Sequence, residues 1–464
     1  MIVFLLVFIL LGVHLFLLFN LQFTAWPEML SYPYLRNHGF LIYKDMIHPY
    51  PPILTMGLSW VYALFGYHLW VLQAVAWGVI LASGVLIFLI TKQITKSDKF
   101  ALASLVFYVF LQPFLEGNML WFDIAIVPAI LLGMLFLLRK NLFLAGLFLA
   151  VAALTKQTAG LYLVFSILYL VFGKKFGFNQ LKKLFVGPLI LGIPFLVRLV
   201  QEGALVDFFN WVFWYPLTQW SKIIGYVRVE LSPREILIVF LLSLPLIIGI
   251  AKKLTIFAEN NFKLLILFLI AALLAVYPRF SFFHLQTALA ILVILYGYLL
   301  SKIKVSPLLV IFYLLLIAFF VYQPVLALYW QKEVRFYGRD DIELAQLISE
   351  RVEKDDKVFL LGLHSGFYVM ADRLPPKRWT DNFGWYLEIP GVQEEILSRW
   401  EQNPPTAIFW RTPSQGNWFD LGTYQPKKIA GWIEKNYTKK EEIKPAIWLW
   451  QIKEGLIPTT KEDG

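Results

Sequence analysis

The run IVFLLVFILLGVHLFLLFNLQ, from Ile2 to Gln22, holds no Asp, Glu, Lys or Arg, and similar runs recur as far as residue 330. An apolar helix of roughly 20 residues crosses the hydrocarbon of a bilayer. By that measure the spans are Ile2 to Gln22, His68 to Thr91, Phe100 to Pro113, Phe122 to Leu138, Leu142 to Thr155, Gly160 to Phe172, Leu184 to Val200, Glu235 to Ala251, Leu264 to Tyr277, Leu285 to Leu300 and Pro307 to Leu328. The expected fold is an α-helical polytopic membrane protein with about eleven transmembrane helices. The first run has no basic segment before it and no small-residue cleavage pattern, so it reads as a retained helix rather than a signal peptide.

Composition points the same way. Hydrophobic residues make up 59% of the 464, with a mean hydropathy of +0.66, more than a water-soluble core requires. The 17 Trp and 22 Tyr suit helix ends that need amphipathic rings at the headgroups. A formal charge of +10 raises the question of nucleic acid, but the lysines cluster in short gaps between apolar runs and no basic stretch interleaves with aromatics. The absence of cysteine excludes disulfides, thiolate metal sites and a cysteine nucleophile.

Those lysines set the topology. With a cytoplasmic N-terminus, every dense cluster falls inside: Lys92, Lys96 and Lys99; Arg139 and Lys140; Lys174, Lys175, Lys182 and Lys183; Lys252, Lys253 and Lys263; Lys302 and Lys304. Counting Pro52 to Gly66 as a span would put Lys92, Lys96 and Lys99 outside, so this short segment reads as a helix in the outer interface, begun by prolines and stopped at Gly66. Residues 23–67 then form one large outer loop. Residues 1–330 are expected to form the transmembrane domain, and 331–464 a small extracytoplasmic α/β domain. In the latter, Asp340 to Val352 has helical periodicity, and Lys357 to Gly362 and Ala407 to Trp410 read as buried strands.

The first outer loop contains Trp26-Pro27-Glu28-Met29-Leu30-Ser31-Tyr32 and then Tyr43-Lys44-Asp45-Met46-Ile47-His48-Pro49-Tyr50-Pro51-Pro52. An acid just after the first helix, Tyr-x-Asp, and a Pro-Pro-led apolar helix ending in Phe-Gly resemble the GT-C glycosyltransferases. Within them the likeness is to the bacterial branch related to protein O-mannosyltransferases and the lipid A aminoarabinose transferase. Glu116-Gly117-Asn118 with Trp121-Phe122-Asp123, and Ala153-Leu154-Thr155-Lys156-Gln157-Thr158, extend the match, while Tyr277-Pro278-Arg279-Phe280 and His284 match more loosely. The family's pattern often has an Asp or an Asp-Glu pair where this chain has Pro27-Glu28.

The resemblance implies transfer of a sugar from a polyprenyl-phosphate donor to an extracytoplasmic acceptor, at the plasma (inner) membrane. By position it makes Glu28 the catalytic acid, Asp45 its companion and Asp123 the acid of the second outer loop. Tyr32, His48, Glu116 and Gln157 are the expected substrate-binding residues, and His284 joins the donor-phosphate group. Physical argument supports a base at Glu28, because a carboxylate in a partly dry interfacial pocket can be tuned to take a proton from a hydroxyl. Cations must stabilise the phosphate that leaves, and Lys156, Arg279 and Arg198 lie at outer helix ends.

Blander readings stand beside these. Asp123 could favour a helix N-terminus, Lys156 and Arg279 could be interfacial anchors, and His48 and His284 show no metal-ligand spacing. No metal is assigned, though the sequence leaves a divalent ion open. A transporter or flippase of lipid-linked saccharides is the alternative function, and a non-catalytic scaffold is another.

Overall fold

A computed structural model of the chain describes residues 2–173, 177–223, 226–252, 254–411 and 426–453. Of the inner lysine clusters, Lys174, Lys175 and Lys253 lie outside the described residues.

Each of the eleven apolar runs overlaps a helix. Among the described residues six are long and apolar enough to cross a membrane: Ile2–Asn20, Leu69–Thr95, Phe178–Gln201, Pro233–Lys252, Phe282–Leu300 and Leu308–Tyr329. Phe122–Leu138, Leu142–Ala153, Gln157–Phe172 and Asn260–Leu274 are shorter apolar helices. The surface of the long helices is apolar, with Phe4 78% and Phe8 75% exposed on the first. Continuous apolar surface of this extent is untenable in water and natural in lipid. The chain is a multi-pass membrane protein.

The chain divides into two units, each built from separate stretches. The first comprises Met1–Thr24, Leu72–Leu196 and Arg228–Val334. At its centre lies the helix Gln286–Leu300, buried along almost its whole length and packed against Asp98–Leu111 and Asn260–Leu274. Close approach there depends on small residues, as is usual between membrane helices, where burial from water supplies no drive. A Cβ on Gly297 would lie 2.8 Å from the Phe100 carbonyl oxygen. The helix Leu142–Ala153 comes nearer still to the helix Phe178–Gln201, since a Cβ on Gly146 would sit 1.8 Å from the Leu184 carbonyl oxygen. Backbone cannot yield as a side chain can. Gly146→Ala is therefore expected to cost about 1–3 kcal/mol through forced helix separation, read as a lower melting temperature in detergent. An unchanged melting temperature would mean that the two helices are not in close contact.

The second unit comprises Ala25–Val71, Val197–Val227 and Arg335–Gly464. Its sheet has strands β1 (Val358–Leu361), β2 (Ala407–Arg411), β3 (Tyr437–Lys444) and β4 (Ile447–Ile452), in the order β1-β2-β4-β3. β1 and β2 run parallel, and the other pairs are antiparallel. Phe359, Ile408, Trp400, Ile429 and Ile433 form a core that reaches Ile47, Trp211 and Trp220. The helix Arg339–Glu350 and strands β1 and β2 lie where periodicity predicts them. The hairpin of β3 and β4 is additional. Its edge strand reads Lys439-Lys440-Glu441-Glu442, which conceals a strand pattern and also blunts an exposed edge.

The segment after Pro52 forms the helix Ile53–Phe65, closed where Gly66 turns to φ +78° and its N–H reaches the Tyr62 carbonyl. Thr55, Leu58, Ser59 and Tyr62 form its buried face, whereas Trp60, Leu64 and Phe65 are exposed.

Candidate active site

In the second unit, Pro27 and Glu28 open the helix Glu28–Asn37. Residues at i, i+3 and i+4 share a helix face, so Glu28, Ser31 and Tyr32 point the same way, and all three are buried. They meet a segment remote in sequence, Arg378 to Asn382. That segment is fixed along its length: the Trp379 N–H donates to the Asp45 carbonyl, the Ile47 N–H donates to the Trp379 carbonyl, and Asn382 Nδ2 donates to the Leu360 and Leu363 carbonyls. Buried Arg378 anchors its start, 2.8 Å from Glu395 and 3.3 Å from Asp207.

This segment brings Asp381 near enough to Glu28 for its charge to act there. The Tyr32 and Ser365 hydroxyls are near enough to Asp381 to favour its ionised form, and Ser31 Oγ donates to Ser365 Oγ at 2.9 Å. Glu28 Oε2 and Asp381 Oδ2 are both buried without a hydrogen-bond partner. Loss of hydration, and then the Asp381 charge, push the Glu28 carboxyl well above the usual carboxylate range, against a pull from its own backbone N–H. Burial likewise raises Asp381, while the Ser365 and Tyr32 hydroxyls hold it back. Among the described residues no cation pairs with either carboxyl.

Asp45 and His48 serve the loop. Asp45 Oδ2 accepts from the Leu41 N–H at 3.0 Å and from Lys377 Nζ at 2.9 Å. His48 is buried, with Nε2 2.8 Å from Thr55 Oγ1 and Nδ1 2.7 Å from the Tyr50 carbonyl, and its ring lies 4.8 Å from that of Tyr32. Burial lowers its pKa to about 4, so it is neutral at physiological pH. Arg198 is paired with Glu202 at 2.7 Å.

In the first unit, Asp123 opens the run Phe122–Leu138 and lies buried between Lys156 and His284. Lys156 Nζ is 2.6 Å from Oδ1, and His284 Nδ1 is 2.8 Å from Oδ2. Lys156 is placed by the break between the helices Leu142–Ala153 and Gly160–Phe172, where Thr155 and Lys156 leave helical geometry before a single turn at Gln157–Ala159. Arg279 is near enough to act electrostatically on His284. Glu116, at φ +52°, accepts from the Phe283 N–H at 3.4 Å. Three sequence-predicted residues, Asp123, Lys156 and His284, thus meet in one cluster, with Arg279 beside it. Among the described residues no group of three or more His, Asp or Glu side chains could hold a metal ion.

Asp381 escaped the sequence reading. It lies in Trp379-Thr380-Asp381-Asn382, within a domain that carried no motif, and only the fold brings it to Glu28.

No family model and no curated protein matches the chain. Solved structures do. A crystal structure of ArnT from Cupriavidus metallidurans in the apo state superposes over 98% of both chains with a TM-score of 0.61 at 14% identity. Another, of the same protein bound to undecaprenyl phosphate, gives 0.63 at 12% identity, again over 98% of both chains. The expected likeness to the lipid A aminoarabinose transferase is met at the level of fold, from the first helix through the C-terminal sheet: this chain is built on the architecture of ArnT.

Proposed function

We propose that this protein is a membrane glycosyltransferase that takes a sugar from a polyprenyl-phosphate donor and passes it to an acceptor outside the cytoplasm. The observation that carries this reading is the fold, shared over nearly the entire length with a protein whose crystal structure holds undecaprenyl phosphate. About eleven helices span the inner membrane, with the helix Ile53–Phe65 in the outer interface, where exposed Trp60, Leu64 and Phe65 suit the acyl boundary. The lysine-rich gaps face the cytoplasm, which puts the N-terminus inside and the first loop and C-terminal sheet outside.

In the reaction, Glu28 accepts the proton of the acceptor hydroxyl as that oxygen bonds to the anomeric carbon. The bond from the anomeric carbon to phosphate oxygen breaks, and its electron pair leaves with polyprenyl phosphate. Attack opposite the leaving group inverts the anomeric configuration. The leaving phosphate is stable, so it needs cations rather than a general acid; Lys156 and Arg279 supply them, with His284 as a hydrogen-bonding partner. Asp123 holds Lys156 and His284 in place and offsets the lysine charge in the absence of donor. Tyr32, Glu116 and Gln157 contribute to sugar or acceptor binding, and His48 supports Tyr32 from behind.

Outside the cytoplasm nucleotide sugars are not at hand, and a lipid-linked donor is delivered by the membrane itself. Mass spectrometry of envelope glycans and glycolipids from cells with and without the gene is expected to show one class of molecule lacking a single sugar. Identical profiles under conditions where the gene is expressed would count against the transferase.

A further inference from the structure

We propose that Gln286 is a positioning residue for the donor-phosphate cluster: its side-chain amide fastens the turn that carries Glu116 to the turn that carries His284. This rests on the reading of Lys156 and Arg279, with His284 and Asp123 beside them, as the site of the leaving phosphate.

Within the first unit the helix Asp98–Leu111 runs out at Gln112, and the chain turns through Pro113–Gly117. There Leu115 (φ −111°, ψ 54°) and Glu116 (φ +52°, ψ 32°) leave helical geometry. Glu116 stands in the left-handed region, which a residue with a Cβ keeps only where its surroundings hold it. The broken helix also frees backbone carbonyls in a buried place, and each of them needs a donor.

Two buried glutamines are those donors. Gln286 Nε2 donates to the Leu115 carbonyl at 2.6 Å and to the Gln112 carbonyl at 3.4 Å. Gln112 Nε2 donates to the Gly117 carbonyl at 2.8 Å, which fixes the orientation of its amide, and Gln112 Oε1 lies 3.0 Å from His14 Nε2. A primary amide suits the place of Gln286 because it offers two N–H groups without a charge. The Leu115 carbonyl belongs to the peptide that joins Leu115 to Glu116, so the bond from Gln286 sets the direction in which the Glu116 side chain leaves.

Gln286 opens the helix Gln286–Leu300, directly after the turn Phe282–Leu285. From the same stretch the Phe283 N–H donates to Glu116 Oε2 at 3.4 Å, His284 Nδ1 lies 2.8 Å from Asp123 Oδ2, and Thr287 Oγ1 donates to the Asp123 carbonyl at 3.3 Å. Residues 283–287 thus grip the second outer loop at Leu115, Glu116 and Asp123, and Gln286 is the member of that grip that holds backbone on the Glu116 side.

The chain contains no cysteine, so Glu116→Cys and Phe282→Cys together create the two sites that take nitroxide labels. In bilayer nanodiscs the distance distribution between the labels is expected to broaden when Gln286→Met, which keeps the side-chain length and removes both donors, is added. Unlabelled Gln286→Met is expected to bind polyprenyl phosphate about tenfold more weakly than the wild type. Gln286→Asn, whose amide is one methylene shorter, should show both effects to a smaller degree and decides the matter where Gln286→Met does not fold. A merely structural glutamine would lower the melting temperature and leave the distribution and the affinity of the folded protein as they are; either unchanged readout overturns the proposal. Wild-type protein that binds no polyprenyl phosphate would overturn the phosphate site, and with it the donor role of Gln286, while a broadened distribution would still support the clamp between the two turns. The two failures are therefore distinguishable.

Discussion

Glu28→Gln is expected to insert and fold as the wild type does and to lose transfer by about 10²–10⁴-fold, the range that a positioned general base contributes. Gln has the shape of Glu, and Glu28 lies buried with Oε2 unpartnered, so no hydrogen bond to that atom is broken by the change. Removing a carboxyl from a site that already holds Asp381 also relieves repulsion, and thermal stability should be equal or higher. Glu28 is assigned to the acceptor's proton and not to the donor phosphate, so the donor KM should stay within a few-fold while kcat collapses. Steady-state transfer alongside a melting curve checks both parts. A variant that keeps its turnover removes Glu28 from the chemistry, and one that loses turnover together with its fold would show only that the residue is structural.

The second large effect concerns Lys156. Its ammonium and the Asp123 carboxylate are 2.6 Å apart, and both side chains are more than 90% buried. Breaking a buried pair from one side leaves the other charge without compensation, which costs about 3–5 kcal/mol. Lys156→Met is expected to lose stability on that scale, tempered by His284 on the second oxygen of Asp123. The double variant Lys156→Met/Asp123→Asn removes both charges and should be more stable than Lys156→Met alone. If the double variant simply adds two losses, the pair is not coupled. Lys156 is also assigned to the leaving phosphate, so wherever the single variant folds it should lower kcat/KM for the donor.

Much of this was legible in the chain before the fold was known, for identifiable reasons. Spans are announced by length and apolarity, because lipid leaves the backbone no other way to satisfy its hydrogen bonds. Gly66 stops the helix Ile53–Phe65 in the structure as in the sequence, since φ +78° suits glycine best. Asp123, Lys156 and His284 were each singled out separately, and the fold joins them. What could not be read was pairing at long range. Glu28 and Asp381 are separated by most of the chain, and nothing around Asp381 forms a motif. Asp45 illustrates the opposite limit. A family position marks it as a companion acid, and its carboxylate accepts from Lys377 and the Leu41 N–H, contacts that spacing alone does not disclose. The β3–β4 hairpin was hidden by its own solubility device, a charged edge with no alternating pattern.

Purified protein in sealed vesicles, supplied with a polyprenyl-phosphate sugar labelled in the sugar and with an envelope extract as acceptor, tests the central claim most directly. Release of free polyprenyl phosphate in step with a new sugar-acceptor bond, lost in Glu28→Gln, is the predicted result. Labelled donor that crosses the bilayer intact, with no new glycosidic bond, would contradict it and identify a transporter.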